Sequence, residues 1–282
     1  MTNFRNKTVL ITGGANGIGK LLGSKSLKEG AAKLIIWDIS QEALQATTAE
    51  FKSKGFQNVY PYKVDIANVD SIEKAATEVL LEIGNVDILI NNAGIVIGES
   101  FRDHTAMDID NTIKINIGGV MHVTRVFLPD MLRQGSGHIV NISSASAFIG
   151  NPKMSVYAGS KWAVLGWSES LRLELEQEPG ELRVTTICPS YIDTGMFDGV
   201  KAPILFPLLQ PEDITNKIIQ AVKNNEVIVK APDNVNLVPV FRSILPPRVF
   251  DFFADKLGVY SSMKKFKGHT KKSSDKKHKI DK

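Results

Sequence analysis

Short apolar runs alternate with longer amphipathic stretches along most of the chain. Runs of about four to eight apolar residues predict buried strands, and apolar residues recurring every three or four positions predict helices. Helices of this length between strands favour right-handed βαβ crossovers and a parallel sheet. We therefore expect an α/β fold, a doubly wound (Rossmann) parallel sheet of about seven strands with helices on both faces. The predicted strands are 7–12, 33–38, 58–65, 85–90, 137–143, 182–188 and 226–230, and the predicted helices are 17–29, 41–54, 69–84, 106–134 and 155–177.

Composition is that of a soluble globular protein. The chain has 282 residues, of which 43% are hydrophobic and 23% are charged. Its longest apolar runs are shorter than the ~18 residues that a membrane-spanning helix needs. The opening "MTNFRNKTVLITGG" leads almost directly into a strand, so no signal peptide is expected. The single cysteine, Cys188, cannot form an internal disulfide and is expected to be a buried strand residue, with a reactive thiol as the alternative. These features predict a cytoplasmic protein.

Charge divides the chain into a globular part and a tail. The net charge is +4, but residues 264–282 hold nine lysines and two aspartates, so residues 1–263 carry −3. Such a distribution is not that of a nucleic-acid-binding face built into a fold, and we expect no nucleic-acid partner. We predict one Rossmann-type domain over 1–263, followed by a lysine-rich disordered tail.

A glycine-rich turn follows the first predicted strand in "TGGANGIGK". Gly13, Gly17 and Gly19 permit a tight turn and let the backbone approach a pyrophosphate at the start of the next helix. Asn16 and Ile18 lie in the same turn. A plain glycine-rich turn is the alternative, but its place in the first βα unit favours nucleotide binding.

Acidic residues end the next two predicted strands. Asp38, 19 residues after Gly19, can accept hydrogen bonds from the adenosine ribose of NAD and would repel the extra phosphate of NADP. No basic residue follows it, because position 39 is isoleucine, so NAD is the expected cofactor. Capping of the following helix is the alternative role. Asp65, followed by Ile66, is assigned either to adenine contact or to a turn.

Two tyrosine–lysine pairs have helical i, i+4 spacing. Tyr157 and Lys161 occur in "VYAGSKWAV", and Tyr260 and Lys264 occur in "YSSMK". Side chains at this spacing share one face of a helix. Spacing alone therefore does not identify a proton-transfer pair, and only the first pair follows a strand that ends in serines.

These motifs, in this order, resemble the short-chain dehydrogenase/reductase family over about residues 5–230. The resemblance rests on "TGGANGIG", "NNAG", "KINIGG", "NISSASA", "YAGSK" and "CPSYIDTGM". It implies a catalytic set consisting of Asn116, Ser144, Tyr157 and Lys161. Ser144 is selected over Ser143 because family members place the serine 13 residues before the tyrosine.

The resemblance also implies further cofactor contacts. They are Asn92, Ala93 and Gly94 on the adenosine side, Tyr157 and Lys161 at the ribose, and Pro189, Ile192 and Thr194 near the carboxamide. Ser190 departs from the family's Pro-Gly segment, so the backbone fit against the nicotinamide is open there. Nothing in the pattern predicts a metal site.

The resemblance implies hydride transfer between NAD and an alcohol or carbonyl substrate. A free tyrosine has a pKa of ~10, and a nearby ammonium favours the phenolate. Lys161 is therefore expected to lower the pKa of Tyr157, which acts as general base or acid. Ser144 is expected to hydrogen-bond the substrate oxygen, and Asn116 to hold a water or to bend a long helix.

The substrate and the assembly are predicted more coarsely. A lid segment, 195–214, is rich in apolar residues, which suits a lipophilic substrate or ordinary core packing. This segment and the C-terminal extension, 234–263, resemble the retinol and 17β-hydroxysteroid dehydrogenase branch. The alternatives are a 3-oxoacyl or sugar reductase and a catalytically silent NAD-binding protein. The family implies a homodimer or homotetramer through 106–134 and 155–177, and the C-terminal region allows a weak peripheral membrane contact.

Overall fold

A computed structural model describes residues 1–268 and contains a single parallel sheet flanked by helices. The strands are β1 (Thr8–Thr12), β2 (Lys33–Asp38), β3 (Val59–Lys63), β4 (Ile88–Asn91), β5 (Ser136–Ile142), β6 (Glu181–Pro189) and β7 (Ile228–Ala231). The helices are α1 (Gly17–Lys28), α2 (Gln41–Ser53), α3 (Val69–Glu82), α4 (Ala106–Ile113), α5 (Val120–Gln134), α6 (Ser155–Leu175), α7 (Pro211–Asn224), α8 (Leu237–Ile244) and α9 (Pro247–Lys256).

The strand order is β3-β2-β1-β4-β5-β6-β7, and every neighbouring pair is parallel. The chain builds outward from β1 to β3 and then crosses back to β4. The winding direction therefore reverses between β1 and β4, and a crevice opens at the carboxyl ends of these two strands. The predicted doubly wound α/β fold is confirmed.

Alternation of side chains along each buried strand divides the core into two layers. Val9 and Ile11 of β1 point to one face, where α1, α2 and α7 supply residues such as Leu22 and Ile218. Leu10 points to the other face and packs with α3, α5 and α6. Both layers are continuous hydrophobic clusters, so the sheet is buried on both sides and holds its carboxyl edge rigidly.

Pro61 does not interrupt the predicted third strand, whereas the helices differ from the sequence prediction. Pro61 lies in β3, where the missing N–H is tolerated because β3 is an edge strand that pairs only with β2. The predicted helix 106–134 is divided into α4 and α5 by a π-helical segment, Lys114–Gly119. Helix α7, which the sequence reading did not assign, begins at Pro211 within the lid segment.

The C-terminal extension folds back over the carboxyl edge of the sheet. It contains α8, α9 and the 3₁₀ turn Ser262–Lys265. Phe266 packs into a cluster with Met154 and Tyr157, and the Lys267 N–H donates to the Asp198 carbonyl at 2.8 Å. Residues 264–268 of the predicted tail thus pack against the body, whereas 269–282 lie outside the described residues.

Candidate active site

A cleft of about 380 Å³ runs along the carboxyl ends of β1, β2, β4, β5 and β6. It lies at the crevice where the strand order reverses. Nearly all of the residues that the sequence predicts for cofactor binding and catalysis line it: Gly13, Asn16, Gly17, Ile18, Asp38, Asp65, Ile66, Asn92, Ala93, Gly94, Ser144, Tyr157, Lys161, Pro189, Ile192 and Thr194. Gly19 and Asn116 do not line the cleft, because each lies one layer behind it.

The glycine turn is shaped by steric need at each position. Gly13 and Gly17 have φ of +63° and +52°, the left-handed region that side chains disfavour. A Cβ on Gly19 would lie 2.1 Å from the Gly13 carbonyl oxygen, so only glycine lets α1 approach the turn. The side chain of the N-cap residue, Asn16, accepts no capping hydrogen bond. The first N–H groups of α1 therefore suit an anionic group such as a pyrophosphate, which fits a dinucleotide.

The carboxylate of Asp38 is held beside the turn. Its Oδ2 accepts from the Ala15 N–H at 3.1 Å, and its Oδ1 accepts from the Ser40 N–H at 3.1 Å. Ser40, not Asp38, caps α2, because the Ser40 side chain accepts from the Ala43 N–H at 3.2 Å. The aspartate is therefore oriented into the cleft mouth, and capping of α2 is not its role.

Asp65 lies just after the next strand, β3, and its carboxylate also accepts a hydrogen bond from a nearby backbone N–H. Its carboxylate accepts from the Ala67 N–H at 2.9 Å, which makes a local turn, and it also lines the cleft. The cap of α3 is Asn68, whose side chain accepts from the Ser71 N–H at 3.2 Å. Asp65 therefore makes a local turn and does not cap α3, and contact with adenine stays a prediction for it.

The "NNAG" motif buttresses the glycine turn from the side of β4. The Asn92 side-chain amide donates to the carbonyls of Thr12 and Gly13 at 3.0 and 3.1 Å. Asn91 is buried and donates to Thr124 and Asn141, both at 2.9 Å. The first asparagine fixes the sheet and the second fixes the turn, which leaves Ala93 and Gly94 at the cleft wall.

Asn116 occupies the π-helical segment between α4 and α5 and is fully buried. Its Oδ1 accepts from the Ile95 N–H at 2.9 Å, and its Nδ2 donates to the Ile95 carbonyl at 2.9 Å and to Ser160 Oγ at 3.1 Å. Both roles considered for it are compatible with this position, because the residue sits at the interruption of a long helix and behind the lysine.

The two serines after β5 have different surroundings. Ser143 Oγ donates to the Lys161 backbone carbonyl at 2.8 Å and thereby ties β5 to α6. Ser144 accepts from the Ser146 N–H at 3.1 Å, donates to the Pro189 carbonyl at 3.4 Å and lies next to the Tyr157 hydroxyl. The geometry therefore places Ser144 beside Tyr157 and gives Ser143 a supporting position.

Tyr157 and Lys161 lie on the buried face of α6. Lys161 Nζ is 5.7 Å from the centre of the Tyr157 ring and donates to the Ile142 carbonyl at 2.9 Å. Burial raises the pKa of Tyr157 to about 12, which the hydrogen bond from Ser144 only partly offsets. Burial lowers the pKa of Lys161 to about 8. Among the protein's own groups, burial is the largest influence on the Tyr157 pKa, so a lowering of that pKa by Lys161 together with oxidised nicotinamide stays a prediction.

Context separates the second tyrosine–lysine pair from the first. The Tyr260 hydroxyl donates to Asp251 at 2.6 Å, and burial followed by this carboxylate raises its pKa to about 12. Tyr260 is not among the residues that line the cleft. Cys188 is buried, and burial raises the pKa of its thiol to about 12, which supports the buried strand residue over the reactive thiol.

A second, smaller cavity of about 50 Å³ joins the cleft, and the two share Ser144, Ser190 and Phe197 as wall residues. Its walls are mostly apolar and come from the segment after β5, from the lid segment and from the C-terminal extension. Phe197 stands edge-on to Tyr157, with ring centres 6.2 Å apart, and edge-on to Tyr191 at 5.1 Å. Through the shared Ser144 and Phe197 this cavity lies next to Tyr157, on the side where a substrate would meet the predicted catalytic residues.

A buried polar cluster spans that cavity wall. The Asn151 amide donates to the Tyr191 hydroxyl and to Ser262 Oγ, both at 2.8 Å, and the two oxygens are 2.9 Å apart. Ser262 comes from the C-terminal extension, so the cluster fastens that extension to the loops after β5 and β6. Sequence reasoning missed this cluster because its three residues come from separate segments of the chain.

Other cleft residues were also missed. Trp37 and Val64 line the cleft next to the two predicted aspartates, and Ile142 and Met196 line it nearer the tyrosine. Their positions at or just after strand ends provided a signal, since the carboxyl ends of parallel strands form the ligand edge. The hydroxyl-bearing Ser190 contributes to the walls of both cavities, and its N–H donates to the Ala231 carbonyl at 2.7 Å.

Comparison with known proteins agrees with this geometry. The family model of short chain dehydrogenases matches residues 7–204. The chain is 35% identical to epidermal retinol dehydrogenase 2 of Mus musculus, over 96% of this chain and 88% of that protein. It is 32% identical to estradiol 17-beta-dehydrogenase 11 of Homo sapiens, over 89% and 83%.

Solved structures match as well. A short chain dehydrogenase/reductase from Burkholderia phymatum in complex with NAD aligns with a TM-score of 0.78 at 26% identity, over 86% of this chain and 95% of that chain. Among residues 1–268, every helix is too short or too polar to cross a bilayer.

Proposed function

We propose a specific reaction for this chain, which belongs to the short-chain dehydrogenase/reductase family: it transfers hydride between NAD and a lipophilic alcohol or ketone. The observation that carries the proposal is the junction at Ser144, where the dinucleotide-shaped cleft and the apolar cavity meet beside Tyr157. The named relatives include a retinol dehydrogenase and an estradiol dehydrogenase, which supports a retinoid-, steroid- or long-chain-like substrate.

Bound NAD would supply the hydride-accepting carbon and, in its oxidised form, a positive charge beside the tyrosine. Gly13, Gly17 and the start of α1 would hold the pyrophosphate, and Asp38 the adenosine ribose. Lys161 reaches the same cleft and would hold the other ribose. The arrangement leaves Ser144 and Tyr157 free to act on the substrate.

Tyr157 moves the hydroxyl proton at its phenolic oxygen. With a pKa raised to about 12 by burial, the tyrosine is protonated at neutral pH, so it is ready to donate to a carbonyl in the reductive direction. In the oxidative direction it must lose that proton, and positive charge in the cleft favours the loss. Ser144 donates a hydrogen bond to the substrate oxygen and stabilises the developing alkoxide.

NAD is proposed over NADP because of Asp38. A fixed carboxylate at the end of β2 accepts from ribose hydroxyls but repels a phosphate in the same position. The next residue is Ile39, and not a lysine or arginine that could bind the extra phosphate of NADP. A cytoplasmic location and a homodimer or homotetramer through 106–134 and 155–177 stay predictions.

The alternatives are weaker on specific grounds. The second cavity is lined mainly by residues such as Ile149, Met154 and Val238, which suit an apolar molecule better than a sugar. A silent NAD-binding protein would not need a serine beside a buried tyrosine and lysine at the junction of the two cavities. A 3-oxoacyl substrate differs from the proposed lipophilic ketone only in its polar head group. The assay below therefore includes the corresponding 3-hydroxyacyl thioester.

The proposal is tested by following reduced cofactor at its absorbance maximum. The protein is given NAD or NADP with retinol, a hydroxysteroid, a long-chain alcohol, a sugar alcohol or a 3-hydroxyacyl thioester. We expect turnover with NAD and at least one of the first three. Tyr157→Phe should abolish turnover and retain cofactor binding, whereas Tyr260→Phe, which alters the other pair, should retain both. Turnover confined to the sugar or acyl substrate, or an active Tyr157→Phe enzyme, would refute the proposal.

A further inference from the structure

The outer faces of α8 and α9 are apolar and exposed. The residues of α8 at 237, 240, 241 and 244 recur at helical spacing and form one stripe. The residues of α9 at 249, 252 and 253 form a second apolar stripe at helical spacing. In a soluble protein such stripes normally face the core, yet here the helices bury mainly Val238 and Ala254 and turn the stripes outward.

The exposed tip of the lid segment continues this surface. The Ile204 N–H donates to the Leu257 carbonyl at 3.1 Å, and the Asn234 side chain donates to the Leu205 carbonyl. The three elements are therefore joined. We call their exposed apolar residues the apolar face: Ile204, Leu205, Leu208, Leu237, Val240, Phe241, Ile244, Val249, Phe252 and Phe253.

The degree of exposure is large for such residues. Ile204 is 77% exposed, Ile244 is 71% exposed and Phe252 is 58% exposed. More than half of the large apolar side chains that are exposed among residues 1–268 lie on this one face. Contiguous apolar surface of this kind marks an interaction site, because single exposed apolar residues are ordinary and clusters are not.

Charge identifies the partner. From residue 237 to residue 268, the described sequence holds six lysines and arginines against two aspartates, a net +4, whereas residues 1–236 carry −4. Among the described residues, Lys256 Nζ lies 5.7 Å from the Phe252 ring centre, so a cation borders the apolar face directly. A two-fold dimer through this face would bring two strongly positive segments together. An anionic surface with an apolar interior complements both properties.

The inner sides of the same elements line the second cavity. Pro203 and Phe206 of the lid segment, Val235 and Val238 next to or in α8, and Val259 after α9 all form its wall. One thin layer of chain therefore separates the apolar face from the cavity that lies next to Tyr157. A lipophilic molecule at the apolar face needs to pass only this layer to reach the site.

We propose that the apolar face docks on an anionic lipid bilayer and that lipophilic substrate enters the second cavity from the bilayer, between the lid segment and α8. The first part of the proposal, docking on the bilayer, rests only on the exposed apolar residues and the positive charge. The entry half rests on the proposed function, because it requires a substrate that partitions into lipid.

Docking is tested by vesicle flotation of the full chain. Vesicles of phosphatidylcholine are compared with vesicles that also contain phosphatidylserine. We expect binding to the mixed vesicles and a loss of roughly tenfold or more in the triple variant Phe241→Ser, Phe252→Ser, Phe253→Ser, because aromatic insertion supplies the apolar part of the affinity. The control Leu81→Ser, Phe101→Ser removes exposed apolar residues elsewhere, and it should bind like the unaltered protein.

Specific outcomes overturn the docking. Equal flotation of the triple variant and the control would show that the apolar face does not insert. Equal binding to neutral and anionic vesicles would refute the anionic partner. If the unaltered protein is an oligomer in solution that only the triple variant dissociates, a second copy covers the face. Circular dichroism of each variant checks that the fold is kept.

Entry is tested with two substrates. A long-chain alcohol presented in mixed vesicles should be turned over several-fold more slowly by the triple variant, while a short water-soluble alcohol should be turned over at the unaltered rate. Equal loss with both substrates, or with neither, would refute entry from the bilayer. Absence of turnover by the unaltered protein would defeat the proposed function and leave the flotation result standing.

Discussion

Replacement of Gly19 by alanine should damage the cofactor site through a single methyl group. The added Cβ would lie 2.1 Å from the Gly13 carbonyl oxygen and 2.6 Å from Asn92 Nδ2. Comfortable contacts between non-bonded heavy atoms are about 3.5 Å, so the overlap with the backbone oxygen exceeds ~1 Å. Neither the turn nor α1 can yield cheaply, because Asn92 also fixes the turn through two hydrogen bonds.

The magnitude follows from overpacking. Insertion of a methyl group into a filled site costs roughly 1–3 kcal/mol. For a chain of this size that is a fall in melting temperature of roughly 2–10 °C. A displaced turn also spoils the pyrophosphate contacts, and a loss of only ~1.4 kcal/mol there weakens NAD binding about tenfold.

Gly166→Ala is the matched control. Gly166 lies in α6, and a Cβ there meets nothing within 4 Å. Alanine favours a helix over glycine by up to ~1 kcal/mol, so this variant should melt at the same temperature or higher. Thermal unfolding and NAD titration of the two variants form the assay. If Gly19→Ala melts and binds NAD like Gly166→Ala, the steric account of the turn is wrong.

Three further predictions rest on single side chains. Asp38→Ser should raise the ratio of kcat/KM with NADP to that with NAD by roughly tenfold, since the repelling carboxylate is gone; an unchanged ratio would contradict the assignment of Asp38. Burial holds the pKa of His138 at about 3, below its unfolded value of 6.5, so its contribution to stability is complete above pH 6.5 and is lost as pH falls toward 3; the free energy of unfolding should fall by up to ~1.4 kcal/mol per pH unit there. His138→Gln should flatten that slope in urea titrations, and an equally steep slope would exclude the histidine as its cause. Asn151→Leu should lower the free energy of unfolding by about 1–3 kcal/mol through two lost, partly buried hydrogen bonds, whereas Asn85→Leu, at an exposed pair, should change it by less than ~0.5 kcal/mol.

The sheet and the cofactor cleft were predictable because their determinants are local. A strand, a glycine turn and a helix start occupy one short stretch, and parallel strands bring all such stretches to one edge. Asp38 and Asn92 are far apart in sequence, yet Asp38 ends β2 and Asn92 directly follows β4. Sheet geometry alone therefore brings them into the same cleft.

Helix α7 was missed although a signal existed. Pro211 at its first turn and apolar residues at 214, 218 and 222 have helical spacing. The first residues of α7 belong to the apolar lid segment, so their helical spacing was not distinguished from the apolar loop before them. The π-helical interruption at Asn116 gave no comparable signal, because it depends on side-chain contacts with the segment after β4.

The substrate side was unpredictable for a different reason. The polar cluster joins residues separated by 40, 71 and 111 positions, so no window of sequence contains it. The pKa of Tyr157 belongs to the same class, because it depends on how completely Phe197 and the C-terminal extension cover the ring. The burial of Tyr157 depends on the whole fold, whereas its spacing from Lys161 can be read from five consecutive residues.

The contact of Phe266 with the cluster around Tyr157 has a consequence for how the protein is made. Gly98 accommodates the Phe266 ring so closely that a Cβ there would lie 2.3 Å from it. Synthesis proceeds from the N-terminus, and the cofactor-binding strands emerge long before this phenylalanine. During translation a chain can complete the cleft along β1 to β6 while the second cavity still lacks its C-terminal wall. The second cavity is therefore closed only after the strands of the sheet have been made.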